Sequence, residues 1–284
     1  MSVLLAILLA GAAAGAPPLP VDPAWSTASV WDDGMAEVAV YDATRRVYGI
    51  ERSFETVLIT VKEELDAATA VKADPPYTGR KLVTVLKANL ISRIETENYP
   101  YHYMTTLFVR RDDPASLVKL AQSSQDWCGT TFKEVLGLQH PVRLRFHSYF
   151  DGQADGSHPM PLAGGAVLED QLPLVLRSAA ARMRSGEVYR FPMYGSLISN
   201  SVSEPSARIV RAELAGEEDL DTPAGRFPTW RIRVFEADGS VGDQEPVVTY
   251  WIERSDRRAL IRMTARDGRT LLLRILERRD YWSR

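Results

Sequence analysis

The feature that most constrains this chain is a period-two alternation of large apolar residues with arginine. Between 229 and 235, Trp230, Ile232 and Val234 alternate with Arg231 and Arg233. Between 259 and 266, Ala259, Ile261 and Met263 oppose Arg262, Thr264 and Arg266. Leu271, Leu273 and Ile275 are then set against Arg274 and Arg278. Val142, Leu144, Phe146 and Ser148 are set in the same way against Arg143, Arg145, His147 and Tyr149. Successive strand side chains point to opposite faces, so each segment commits one face to a core and the other to water. Asp267-Gly268 tolerates positive φ and predicts a two-residue hairpin turn between two of these segments. Residues 207–278 thus read as an antiparallel meander of about five strands, and 35–150 as about six or seven more.

One helix interrupts the pattern. Pro173 suits a first turn, Leu174, Val175, Leu176 and Ala179 supply an apolar face, and Gly186 ends the segment. Residues 151–165 and 216–226, rich in Gly, Pro and acidic residues, read as loops, and 17–33 as a surface lead-in. The expected architecture is mainly β: a large curled antiparallel sheet of about eleven strands, or an open barrel, with one main helix against its concave face. The expected organisation is a signal peptide (1–16), a lead-in (17–34) and a single β-rich domain (35–284). That domain divides into an N-terminal half (35–150), a helix-containing connection (151–205) and a C-terminal meander (206–284).

Met1 to Ala16 carries no charged side chain, and Val3 to Ala10 is an apolar run too short to span a bilayer. Ala14-Gly15-Ala16 supplies small residues for signal cleavage, so a periplasmic or secreted protein is expected. No cysteine follows the run, so lipid attachment there is not expected, and no later segment is long and apolar enough to cross a membrane. The 284 residues carry a net charge of −3, which gives no overall basic field for nucleic acid. The last 32 residues hold ten Arg against five acidic side chains, spaced with the strand period. Such arginines are expected to solvate the outer face of a sheet and protect it from edge pairing, the alternative being a basic face that touches anionic lipid or another protein.

A single cysteine, Cys128, removes a disulfide framework within the chain and any multi-cysteine metal site. No metal or cofactor is expected, since the four histidines lack close ligand spacing. Cys128 sits in Asp126-Trp127-Cys128-Gly129 with Phe132, Val135 and Leu136 nearby, and reads as a buried structural thiol. Its alternative is a nucleophile with a histidine base such as His147. Tyr99, Tyr101 and Tyr103 alternate, and on a strand they share one face that could wall a ligand cavity. Leu174, Trp230, Ile232 and Ile261 are the matching candidates on the helix and the meander.

Residues 35–150 resemble an uncharacterised family of bacterial secreted proteins and envelope lipoproteins, some labelled septum-formation inhibitor. The resemblance rests on Tyr48-Gly49-Ile50-Glu51-Arg52, Val71-Lys72-Ala73-Asp74, Val85-Leu86-Lys87, Tyr99-Pro100-Tyr101 and Ser123 to Gly129. Family members often carry Glu at the place of Asp126 and His at the place of Thr130. Asp221 to Phe227 with Thr249-Tyr250-Trp251-Ile252 resembles periplasmic β-proteins similar in fold to the lipoprotein localisation factors. A curled sheet of about eleven strands is large enough to enclose an apolar cavity, so the expected function is that of an exported, non-enzymatic envelope protein that binds a lipid-like or apolar ligand. The alternatives are a hydrolase or transferase using Cys128 and a histidine, and a scaffold binding an envelope protein at a sheet edge.

Overall fold

The alternating segments join one sheet. The computed structural model describes residues 18–237 and 244–280, and the expected signal at 1–16 lies outside them. The first half supplies β1 (Met35–Val47), β2 (Ile50–Asp66), β3 (Val71–Lys72), β4 (Leu82–Ile94), β5 (Tyr101–Arg110), β6 (Leu117–Gln125), β7 (Thr130–Leu136), β8 (Arg143–Ser148) and β9 (Asp155–Pro159). The second half supplies β10 (Val167–Leu168), β11 (Val188–Tyr194), β12 (Ala207–Thr222), β13 (Gly225–Glu236), β14 (Val248–Glu253), β15 (Leu260–Ala265) and β16 (Thr270–Asp280). The order is β10-β11-β12-β13-β14-β15-β16-β1-β2-β4-β5-β6-β7-β8-β9, with β3 paired to β2. The first and last halves of the chain meet through β16 and β1, from Met35 opposite Asp280 to Thr44 opposite Thr270. Among the described residues the path ends at β9 and β10 and does not close by hydrogen bonds.

The inward faces enclose a helix, α2 (Leu172–Ala179). Leu172, Leu174, Val175 and Leu176 are wholly buried in one core cluster with Leu58, Leu107, Leu120, Leu144, Ile232, Ile261 and Leu273. A helix that is buried on all sides needs apolar residues around its circumference, which Leu-Pro-Leu-Val-Leu provides. Several outward arginines are paired with carboxylates. Arg233 reaches Glu213 at 2.6 Å, Arg231 reaches Glu218 at 3.3 Å, and Arg278 reaches Asp33 at 2.5 Å.

Several expectations need correction. The lead-in is part of the core: a short helix, α1 (Pro23–Ser26), and a following 3-10 turn bury Trp25 and Trp31 edge to face at 5.7 Å. Residues 216–222 and 225–226 are strand, not loop, because the register of β12 and β13 runs to Thr222 opposite Gly225. The acidic residues that suggested a loop lie on this hairpin, where Asp219 meets Arg226 and Glu217 meets Arg254. The 151–165 segment contains β9, the connection adds β10 and β11, and 35–150 holds eight strands, so the sheet has sixteen strands among the described residues rather than about eleven. The helix stops at Ala179 and continues as a 3-10 turn to Arg182, before Gly186. The β15–β16 loop holds three residues, since Gly268 N–H donates to Ala265 and Ala265 N–H to Arg269. Gly268, at φ 88°, takes the left-handed position there. Ile275 faces outward at 44 % exposure because a register shift opposite Val40 and Tyr41 inverts the alternation beyond Arg274.

Candidate functional site

Strand direction puts the β1–β2, β4–β5, β6–β7, β8–β9 and β15–β16 turns at one end of the curled sheet. There a cleft of about 610 Å³ is lined by Arg45 and Arg46 of β1, Arg208 of β12, and Arg266 and Arg269 of the β15–β16 turn. Glu169, Glu236 and Asp267 are its carboxylates. Arg269 pairs with Glu169 and Asp267, and Arg208 lies 3.9 Å from both Glu169 and Glu236. Arg45 donates to the Ile198 carbonyl at 2.9 Å, and its guanidinium lies 4.8 Å from the centre of the Tyr103 ring. Arg266 donates to the Glu245 carbonyl. Arg46 is exposed and makes no hydrogen bond or ion pair among the described residues. Among the described residues the cleft therefore has two more guanidiniums than carboxylates, and three of its arginines have no carboxylate partner.

A strap, residues 195–202, crosses this end from β1 to β7. Asp170 accepts from Ser196 Oγ at 2.7 Å and Leu197 N–H at 2.8 Å. Lys133 Nζ donates to the carbonyls of Leu197 (2.9 Å) and Ser199 (2.8 Å). Thr131 holds the Asn200 carbonyl, and Asn200 donates to Asp126. Burial pulls the Lys133 ammonium down to about 8 and raises the Asp170 carboxyl. Ile198 of the strap and Arg269 line the cleft and also two adjoining, mainly apolar chambers of about 70 Å³ each. Leu90, Met263 and Leu271 line both chambers.

The sequence candidates fall in different places. Leu174 lines one chamber. Ile232 and Ile261 are fully buried in the core, and Trp230 packs half-buried against it. Tyr101 and Tyr103 are buried with rings stacked at 6.1 Å, and Tyr99 is half-buried beside them. Cys128, expected to be buried, is exposed, because it lies in the turn between β6 and β7, outside the paired strands. Its thiol donates to the Tyr99 hydroxyl at 3.0 Å, whereas His147 Nδ1 lies 3.1 Å from Asp155. The thiol–imidazole pair of the catalytic alternative is thus not formed. Among the described residues no three His, Cys, Asp or Glu side chains gather to hold a metal ion, and no helix is long and apolar enough to cross a membrane. The arginine mouth was missed because its members come from three distant segments. The signal for it was the pair of Arg-bearing turns, Arg45-Arg46 before Tyr48-Gly49 and Arg266-Asp267-Gly268-Arg269.

Residues 172–271 match the model of a family described as a protein of unknown function (DUF3108). This agrees with an uncharacterised β-protein and carries neither the septum-formation label nor the lipoprotein-localisation likeness. A solved structure described as a beta-barrel-like protein of domain of unknown function DUF1849, from Brucella abortus, is 10 % identical with a TM-score of 0.48. The match covers 87 % of this chain and 98 % of that one. No curated protein matches.

Proposed function

We propose that this is an exported, non-enzymatic binding protein for an anionic, lipid-like ligand. The charged group sits in the arginine mouth, and the apolar part enters the adjoining chambers. The observation that supports this reading is the excess of guanidinium, among the described residues, in a 610 Å³ cleft that shares Ile198 and Arg269 with two mainly apolar chambers. Guanidiniums recognise carboxylate and phosphate through paired hydrogen bonds. The chambers alone are far below the roughly 300 Å³ at which small-molecule sites begin. A ligand fully enclosed between α2 and the sheet is therefore not the reading favoured. Engagement of an apolar tail instead requires Ile198 to move. The apolar run before Ala16 and the resemblance of the C-terminal segments to periplasmic β-proteins support export.

Native mass spectrometry of the protein from its own envelope tests this. The expected spectrum shows a chain beginning at or near Pro17 with an added anionic amphiphile. A chain retaining Met1 removes the export part, and co-purification of a neutral or cationic ligand removes the mouth.

A further inference from the structure

Beside the mouth, the hairpin turns of the first half turn aromatic side chains outward. Trp127, Tyr48 and Tyr149 are 78 %, 76 % and 74 % exposed, the highest values among the large hydrophobic residues described. They form a connected ridge rather than scattered residues. The Tyr48 and Tyr101 hydroxyls are 2.5 Å apart, and Tyr99 packs on Tyr101 at 5.4 Å and stacks on Trp127 at 6.1 Å. The Tyr149 ring covers Gly129 so closely that a β-carbon there would lie 2.3 Å from it. Below the ridge, Tyr103 carries Arg45 of the mouth on its face.

Some carboxylates of these turns are occupied, while Glu51, opposite Arg46 in the β1–β2 register, and Asp151 make no ion pair among the described residues. Glu97 is held by both terminal nitrogens of Arg52, and Glu95 pairs with Arg93. Asp126 accepts from the N–H groups of Cys128 and Gly129 and from Asn200. One end of the molecule thus presents amphipathic rings next to Arg45, Arg46 and Arg266, which have no carboxylate partner among the described residues. That is the combination found at the headgroup level of membranes, where rings sit between water and acyl chains and cations meet phosphate.

We propose that this end docks on an anionic bilayer. Trp127, Tyr48 and Tyr149 enter the headgroup layer, and Arg46 and Arg266 face lipid phosphates. The proposal goes beyond ligand binding: it uses the charge of the mouth but does not require occupied chambers.

Flotation of the protein with vesicles of phosphatidylcholine alone, or of equal parts phosphatidylcholine and phosphatidylglycerol, tests it. Binding is expected to the mixed vesicles, weaker at high salt because surface charge is screened. Trp127→Ser with Tyr149→Ser should lower that binding about tenfold or more, since each ring removes a large apolar area from water. Arg46→Glu with Arg266→Glu should remove the preference for phosphatidylglycerol. These side chains are exposed, so equal thermal midpoints verify that the variants fold. Absence of parent binding to both vesicle types, or equal binding by parent and variants, overturns docking. Binding of a soluble amphiphile in solution by the ring variant separates this outcome from failure of the ligand reading.

Discussion

The guanidinium of Arg177 is gripped by the carboxylate of Glu37, with N–O separations of 2.8 and 3.0 Å and both side chains almost wholly buried. Arg177 also donates to the carbonyls of Arg258 (2.6 Å) and Arg257 (3.0 Å) and lies 4.9 Å from the Trp25 ring centre and 5.6 Å from that of Trp31. The pair locks α2 to β1, and the lead-in covers the lock. Removing one partner leaves a buried charge, so Arg177→Met or Glu37→Gln should cost about 3–5 kcal/mol in urea unfolding. Arg177→Met with Glu37→Gln should cost less than the two single changes summed. Strict additivity would contradict the coupling.

Gly137 follows β7, and a β-carbon there would lie 2.0 Å from the Leu117 carbonyl oxygen. Gly195 has nothing within 4 Å of the same position. Gly137→Ala should therefore destabilise by about 1–3 kcal/mol through overpacking, while Gly195→Ala should leave unfolding nearly unchanged. Equal effects would mean that β6 and the turn after β7 are not in this close approach.

Lys133 gives a pH signature. Its pKa falls from 10.5 to about 8 on folding. Below that window both states hold the proton. Within it the unfolded chain keeps a proton that the folded chain has released, so this group's contribution to stability rises with pH. The gain is on the order of 3 kcal/mol across the window. Unfolding of the parent and of Lys133→Met, measured below and above the window, should differ in this direction. A pH-independent difference would show that the amine is not buried under the strap.

Ile198 divides the cleft from the chambers. Ile198→Ala should join the three spaces and raise affinity most for longer-chain anionic amphiphiles, as titrations along a chain-length series would report. An equal change for every chain length would place the apolar part of the ligand elsewhere.

Alternation alone placed Ile232, Ile261 and Leu273 inside and their arginines outside, because one buried face fixes a strand's orientation. It misplaced Ile275 because a bulge is a property of two paired strands, and the partner of β16 is β1, at the other end of the sequence. Local apolar neighbours suggested a buried Cys128, but turn geometry, not neighbour composition, sets its exposure. The tyrosine stripe was legible as a shared face. Its extension to Tyr48, Trp127 and Tyr149 needed the hairpin ends to be aligned. The mouth was illegible for the same reason, since Arg45 and Arg269 come together through the pairing of β1 with β16.

The most direct test of the central claim is calorimetric titration of the protein with decanoate and with decanol, repeated on Arg45→Gln with Arg46→Gln. The arginine mouth predicts saturable one-to-one binding of decanoate, weaker binding of the uncharged alcohol, and loss of the decanoate preference in the variant, with at least about a tenfold change in Kd for a charge-assisted contact. Equal binding of acid and alcohol, or an unaltered preference in the variant, would contradict it.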